Sequence, residues 1–404
     1  MTLAAPLPGR KPLSQPEFVA LIAMLIATVA FSIDAMLPAL PQIAAELSPE
    51  RPNLAQLIVT SFILGLGVGT FVAGPLSDTL GRRPVVMLGA GIYIIGTLVA
   101  WAGDSLELVL AGRILQGFGA AGPRTITIAI VRDMYSGRYM ARIMSIAMII
   151  FALVPALAPA VGAGIIALAD WRAIFVSFLG FAAISILWFA LRQPETLPET
   201  ARRPLRLRPL LAAMAEVLRH PVVRLSILIQ SLLFGALFAT ISSIQQIFDV
   251  TFGRGASFPA WFAGIALVSA LASLANAALV VRVGMRRMIA TALVAQVGLS
   301  GVMTLMTVAG FWSGGVYFAG FVVWATGLFC MAGLTLGNIN AIAMEPMGHV
   351  AGTAASVIAA LSTMLAIVVA VPVGLAFDGT PVPLAGAITL VAGVSLALLR
   401  ALPR

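Results

Sequence analysis

Twelve apolar runs, each about twenty residues long or more, constrain this chain more than any other feature. They cover approximately residues 18–41, 54–79, 84–103, 106–133, 140–168, 172–191, 222–247, 258–281, 287–309, 314–342, 350–377 and 382–400. A bilayer core about 30 Å thick is crossed by about 20 apolar residues in a helix, so each run is predicted to span. Transmembrane barrels are excluded, because their strands alternate apolar and polar residues and these runs are continuous. Hydrophobic residues make up 61% of the chain and charged residues only 10%, against about 45–50% and about 25% in soluble domains. That leaves no room for a separate soluble domain. The first run has no small-residue cleavage site behind it and is read as a span rather than a removable signal.

Orientation follows from the basic residues. With the N-terminus placed inside, 19 of the 24 Lys and Arg fall on cytoplasmic segments. Arg51, Arg172 and Arg254 fall outside, and Arg113 and Arg124 lie within a span. Both termini are therefore expected in the cytoplasm. The same distribution disposes of a nucleic-acid partner despite the net charge of +9, since the arginines mark segment ends rather than one folded face. RRPLRLRP (Arg202 to Pro209) sits in a basic loop at 192–221. It reads as a cytoplasmic anchor able to touch anionic lipid. One cysteine (Cys330) and two isolated histidines (His220, His349) supply no disulfide framework and no metal site. No cofactor is expected.

The loop divides the chain into 1–191, a linker 192–221, and 222–404, six spans to each half. LSDTLGRRP after span two has a degraded echo in VVRVGMRRM after span eight, and PAVG in span five recurs as PVG in span eleven. The expected fold is all-α, with twelve transmembrane helices in two six-helix halves related as parallel repeats. GPLSDTLGRRP, Gly74 to Pro84, resembles the signature loop of the major facilitator superfamily through Gly74, Leu76, Asp78, Gly81, Arg82 and Arg83; Thr79 stands where a basic residue is usual. RILQGFGAA, Arg113 to Ala121, is similar to that superfamily's span-four pattern. FSIDAMLPALPQIAAEL, IVRDMYSG and NINAIAMEPMGHVAGTAAS resemble one branch, the drug:proton antiporters of the bicyclomycin and chloramphenicol resistance type. LAPAVGAG, Leu157 to Gly164, keeps the proline and first glycine of that group's span-five element and has alanine at other positions. The resemblance implies a monomer in a bacterial cytoplasmic membrane.

The motifs also carry a physical reading. Asp78 lies at the C-terminal end of span two, where the helix dipole disfavours an anion. The N-terminus of span eleven, near Gly352, offers it free N–H groups, with Arg82 as a brace. Gly74, Asp78, Gly81, Arg82 and Arg83 thus make a candidate conformational latch. Asp34, Arg113 and Arg124 are the charges inside spans, and each costs about 2.5–3.5 kcal/mol at a helix centre. Asp34 and Arg113 stand at matching depth, so an ion pair is expected. Separating it would release a proton site; a static pair that only fixes helix packing is the other reading. Arg124, after Pro123, either lines the inner half of a cavity or reaches toward the interface. Gln116 lies one turn from Arg113 and is expected to orient it.

Pro38 and Pro41 are expected to bend or end span one, and Pro155, Pro159 and Gly162 to make span five pliable. Gly65, Gly67 and Gly69 form G-x-G-x-G inside a helix, which is a packing surface rather than a nucleotide loop. Candidate cavity residues are Asp34, Arg113, Gln116, Arg124, Gln230, Asn338 and Asn340, polar groups that lipid cannot satisfy. Met148, Phe151, Phe234 and Phe238 would add an adaptable apolar wall. The expected activity is proton-coupled export of small, largely apolar or cationic drug-like compounds by alternating access, with Asp34 exchanging a proton for substrate. The alternatives are export or uptake of a metabolite or sugar on the same fold, the sugar disfavoured by only 4 Tyr and 6 Trp, and a polytopic membrane enzyme. No paired carboxylates, nucleophile–base set or metal ligands support the enzyme.

Overall fold

The computed structural model describes residues 13–202 and 207–403, apart from the side chains at 138, 141, 150–152, 207–210 and 213. Among the described residues there is no strand. The first helix, α1 (Gln15–Asp34), begins where Ser14 Oγ accepts from the Glu17 N–H, 3.4 Å, with Pro16 in its first turn. It stops at Asp34, and Pro38 and Pro41 lie in the 3₁₀ turn Leu37–Ala39 and in the short helix α2 (Leu40–Leu47) that follow. The prolines therefore restart the chain beyond the end of span one. Next come α3 (Leu57–Leu80), α4 (Arg82–Trp101), α5 (Leu106–Met134), α6 (Gly137–Leu168) and α7 (Arg172–Arg192). Prolines 75, 123, 155 and 159 stay inside α3, α5 and α6.

The linker, expected as a basic loop, forms a helix, α8 (Leu207–Arg219). Its LRPLLAAMAEVLR alternates apolar and polar residues at helical spacing, which length alone did not reveal because thirteen residues cannot span. Then follow α9 (Pro221–Gln246), extended by the π turn Ile247–Thr251, α10 (Phe258–Val283), α11 (Met285–Val308), α12 (Gly314–Met344), α13 (Ala351–Leu375) and α14 (Val382–Ala401). Among the described residues eleven runs are long and apolar enough to cross a bilayer, and one, Gly314–Leu375, holds both α12 and α13 on either side of the turn Glu345–Val350. The result is twelve spanning helices. Leu157, Ile184, Leu271, Leu274, Val368 and Leu390 are each more than half exposed, an apolar exterior that suits lipid and not water.

The chain forms two compact units. Unit one holds the chain up to Met36 and Ser61–Pro209; unit two holds Leu37–Thr60 and everything from Leu210 on. By sequence, 37–60 belongs to the first half; by packing, it belongs to unit two. In unit one α5 packs on α4, and α1 packs on α5, α6 and α7. Close approach there depends on glycine. A Cβ on Gly117 of α5 would overlap the Phe62 carbonyl oxygen of α3 and stand 2.8 Å from its carbonyl carbon. A Cβ on Gly65 would likewise overlap the Ile114 carbonyl oxygen. The G-x-G-x-G surface is thus a helix contact, as expected, with Gly65 and Gly69 meeting α5. In unit two α9 packs on α12, α13 and α14, α11 on α12 and α14, and α10 on α12.

Candidate transport site

Asp34 is the last residue of α1 and only 4% exposed. The final carbonyls of a helix have no partner within it. Arg113 of α5, wholly buried, takes one of them: its Nη2 donates to the Ser32 carbonyl at 3.0 Å. A cation is favoured at that end of a helix. Its Nη1 donates to Gln116 Oε1 at 2.5 Å, and the guanidinium lies 4.5 Å over the Phe62 ring. Gln116 orients Arg113 as expected. The ion pair with Asp34 is not made among the described residues at 4.0 Å or less, because the buried carbonyl two residues earlier, left open at the end of α1, takes the guanidinium. The carboxylate of Asp34 accepts no hydrogen bond from a described residue.

Behind Arg113 the network continues into α4. Gln116 Nε2 donates to Thr97 Oγ1, 2.8 Å, and Thr97 Oγ1 to the Tyr93 carbonyl, 2.7 Å. Tyr93 OH lies 2.7 Å from Ser32 Oγ. Thr97, Tyr93 and Ser32 were missed from sequence, where a hydroxyl in an apolar run has no visible partner. On the other side of Asp34, a Cβ on Gly162 of α6 would overlap the Ala35 carbonyl oxygen. That glycine is therefore a contact point with the end of α1, while Pro155 and Pro159 sit in a helix that runs unbroken. Arg124 is half-buried and makes no hydrogen bond or ion pair with a described residue.

The signature loop turns on Gly81, whose φ of 105° is open to glycine. Arg82 Nη1 donates to Asp78 Oδ1, 2.6 Å, and to Ser77 Oγ, 2.8 Å, while its Nε donates to Asp133 Oδ2, 2.9 Å. Asp133, at the end of α5, is thus bound by Arg82, which a helix turn aims at it. Glu195, just after α7, was not singled out in the sequence. Its carboxylate accepts from the backbone N–H groups of Arg82, 2.9 Å, and Arg83, 3.0 Å, and so caps the N-terminus of α4. Arg83 Nη2 in turn reaches the Ala190 carbonyl at 2.8 Å. Gly74 lies in the last two turns of α3.

In unit two, Asn338 Nδ2 donates to Asn276 Oδ1 at 2.8 Å, and Asn340 is exposed. The two asparagines face differently, since two residues turn a helix through about 200°. Gln230 is buried and accepts from Ser362 Oγ at 3.4 Å. Phe234 and Phe238 stack at 5.4 Å. Met148 of α6, in unit one, is 48% exposed, and the side chain of Phe151 lies outside the described residues. His349 lies 2.6 Å from Glu216 of α8, with 59% of its side chain exposed.

Residues 37–60 join unit two through uncharged amides. Gln246 Nε2 donates to Asn53 Oδ1, 2.8 Å; Gln56 Nε2 to Gln246 Oε1, 2.6 Å; and Ser243 Oγ to Gln56 Oε1, 2.9 Å. Asn53 Nδ2 also reaches the Leu375 and Phe377 carbonyls at 3.1 and 2.8 Å. Gln56→Ala strands Gln246 Oε1 and the Ser243 hydroxyl. The unfolding midpoint in detergent should fall, by about 1–3 kcal/mol per buried group left unpaired.

Apolar helices, a lipid-compatible exterior and charged groups buried in the spans define a polytopic membrane protein. The Major Facilitator Superfamily profile matches residues 20–371, and the chain belongs to that superfamily. It is 29% identical over 384 residues to the MFS-type transporter YdgK of Bacillus subtilis, covering 93% of this chain and 92% of that one. It is 28% identical over 334 residues to a bicyclomycin resistance protein homolog of Haemophilus influenzae, 81% of each. The xylose transporter XylE from E. coli superposes with a TM-score of 0.74 at 11% identity, over 97% of this chain and 100% of that structure, a likeness of fold.

Proposed function

We propose that this transporter exports small, largely apolar or cationic drug-like compounds in exchange for protons, by alternating access. The observation that carries the reading is Asp34: a carboxylate inside a span, 4% exposed, with no counter-ion among the described residues. Such a group is costly in a membrane and, by default, functional. It has two states, charged and neutral, and a bound cation or a bound proton satisfies it in turn. An apolar compound competes with hydration of the charged form to the same end. Each proton moved inward is worth about 2.3 kcal/mol per 100 mV of membrane potential. The relative named for bicyclomycin resistance supports the substrate class. We place the protein in a bacterial inner membrane with both termini cytoplasmic, on the 19 basic residues of that side, and acting as a monomer.

The test uses purified protein in liposomes with a pH-sensitive dye, an imposed pH gradient, and a panel of lipophilic and cationic drugs. Substrate addition should dissipate the gradient with wild type and not with Asp34→Asn. Equal dissipation by both would remove Asp34 from the proton path. Silence of the wild type towards every compound would sink the drug reading.

A further inference from the structure

We propose that Tyr93, acting through Ser32, is a positioning residue that holds the end of α1, and with it Asp34, in register with Arg113. The inference rests on the reading of Asp34 as the proton-coupling group and adds residues to it. Tyr93 is one of 4 tyrosines in the chain and is 2% exposed.

The direction of each hydrogen bond follows from counting protons. Ser32 Oγ has one proton and gives it to the Thr28 carbonyl, 2.7 Å. Of the two hydroxyls 2.7 Å apart, Tyr93 is therefore the donor. Ser32 is held at two atoms by two different helices: its hydroxyl by Tyr93 of α4, its carbonyl by Arg113 of α5. Tyr93 and Arg113 are themselves joined through Thr97 and Gln116. The hydrogen bonds close a ring of five residues on three helices, two of its links made to the backbone carbonyls of Tyr93 and Ser32, with Ser32 its one member on α1.

Asp34 is two residues further along. The backbone beyond it meets Gly162, where a Cβ would overlap the Ala35 carbonyl oxygen. Phe31, on the residue before Ser32, packs at 5.3 and 5.2 Å against Phe178 and Phe181 of α7. The last turn of α1 is thus gripped on all these sides, and a rotation that carries the Asp34 side chain towards or away from Arg113 must break a bond to Ser32. Those two bonds, to Tyr93 and to Arg113, are the ones that such a rotation trades. Tyr93 thereby sets how readily the carboxylate and the guanidinium approach each other, without touching either the proton or the substrate.

Two fluxes of one drug, measured in the same liposomes, separate positioning from mere stability. One is export driven by an imposed pH gradient; the other is downhill exchange with no gradient. Tyr93→Phe keeps the ring and removes the donor. The ratio of driven to downhill flux should fall about three- to ten-fold, the worth of one hydrogen bond. Ser32→Ala should lower it comparably, and the double variant should do no worse than the more affected single, as expected of two groups sharing one bond. An unchanged ratio in Tyr93→Phe, or equal loss of both fluxes, overturns the inference. Asp34→Asn is run alongside. If it abolishes driven export while Tyr93→Phe leaves the ratio intact, only the positioning role is lost. If Asp34→Asn retains driven export, the coupling role of Asp34 and this inference fall together.

Discussion

Arg113→Leu is expected to leave a protein that inserts in the membrane, unfolds at a lower midpoint and carries out no gradient-driven export. Leucine fills part of the space and spares the desolvation of a buried charge, which favours the variant. It also strands two buried acceptors, Gln116 Oε1 and the Ser32 carbonyl at the open end of α1, at about 1–3 kcal/mol each. The second effect wins, so thermal unfolding in detergent should show a net loss of about 1–4 kcal/mol. Arg113→Lys should restore little. A lysine is a point donor without the planar fork that bonds Gln116, bonds Ser32 and lies over Phe62 at once. Recovery of driven export by lysine would show that only the charge matters, and that the bonding pattern described above does not.

The second large effect concerns shape. Gly117→Val and Gly65→Val should each give little or no monodisperse protein. Each side chain would begin inside a backbone carbonyl, that of Phe62 or of Ile114, in the contact between α3 and α5. Overpacking a core usually costs about 1–3 kcal/mol when side chains can yield. Here the obstacle is main chain held in a helical ladder, so both helices must separate. Gly164→Ala and Gly298→Ala are the matched controls. Nothing lies within 4 Å of a Cβ at either position, and alanine favours a helix over glycine by about 1 kcal/mol. They should express normally, and parity between the two groups in yield and unfolding midpoint would refute the packing account.

Much of the architecture is legible in the residues themselves. The apolar runs mark spans because a bilayer tests each stretch of about twenty residues independently of its neighbours. The turn at Gly81 and the contact surface of Gly65 and Gly69 are likewise local signals, since both depend on the missing Cβ. α8 was missed because amphipathic periodicity in a short charged linker is a weaker signal than hydropathy. Asp34 and Arg113 were found because charge is conspicuous in an apolar run, and Gln116 because it lies one turn from Arg113. Ser32, Tyr93 and Thr97 were not, because a hydroxyl in an apolar run shows nothing in sequence until its partner is known.

The sequence by itself determined that the chain spans a membrane as twelve helices, and where its few buried charges must be housed. Which groups those charges meet was decided by tertiary structure. Arg113 bonds Ser32 rather than Asp34 because α1 ends at Asp34 and leaves that carbonyl open. Arg82 meets Asp133, and Glu195 caps α4, because a turn and a linker bring distant backbone amides and carboxylates together. Residues 37–60 join unit two through Asn53 and Gln56, whose partners lie 187 residues or more away in the chain. Hydropathy acts on each segment alone, whereas a hydrogen bond is chosen by whichever unsatisfied donor or acceptor the packed neighbours present.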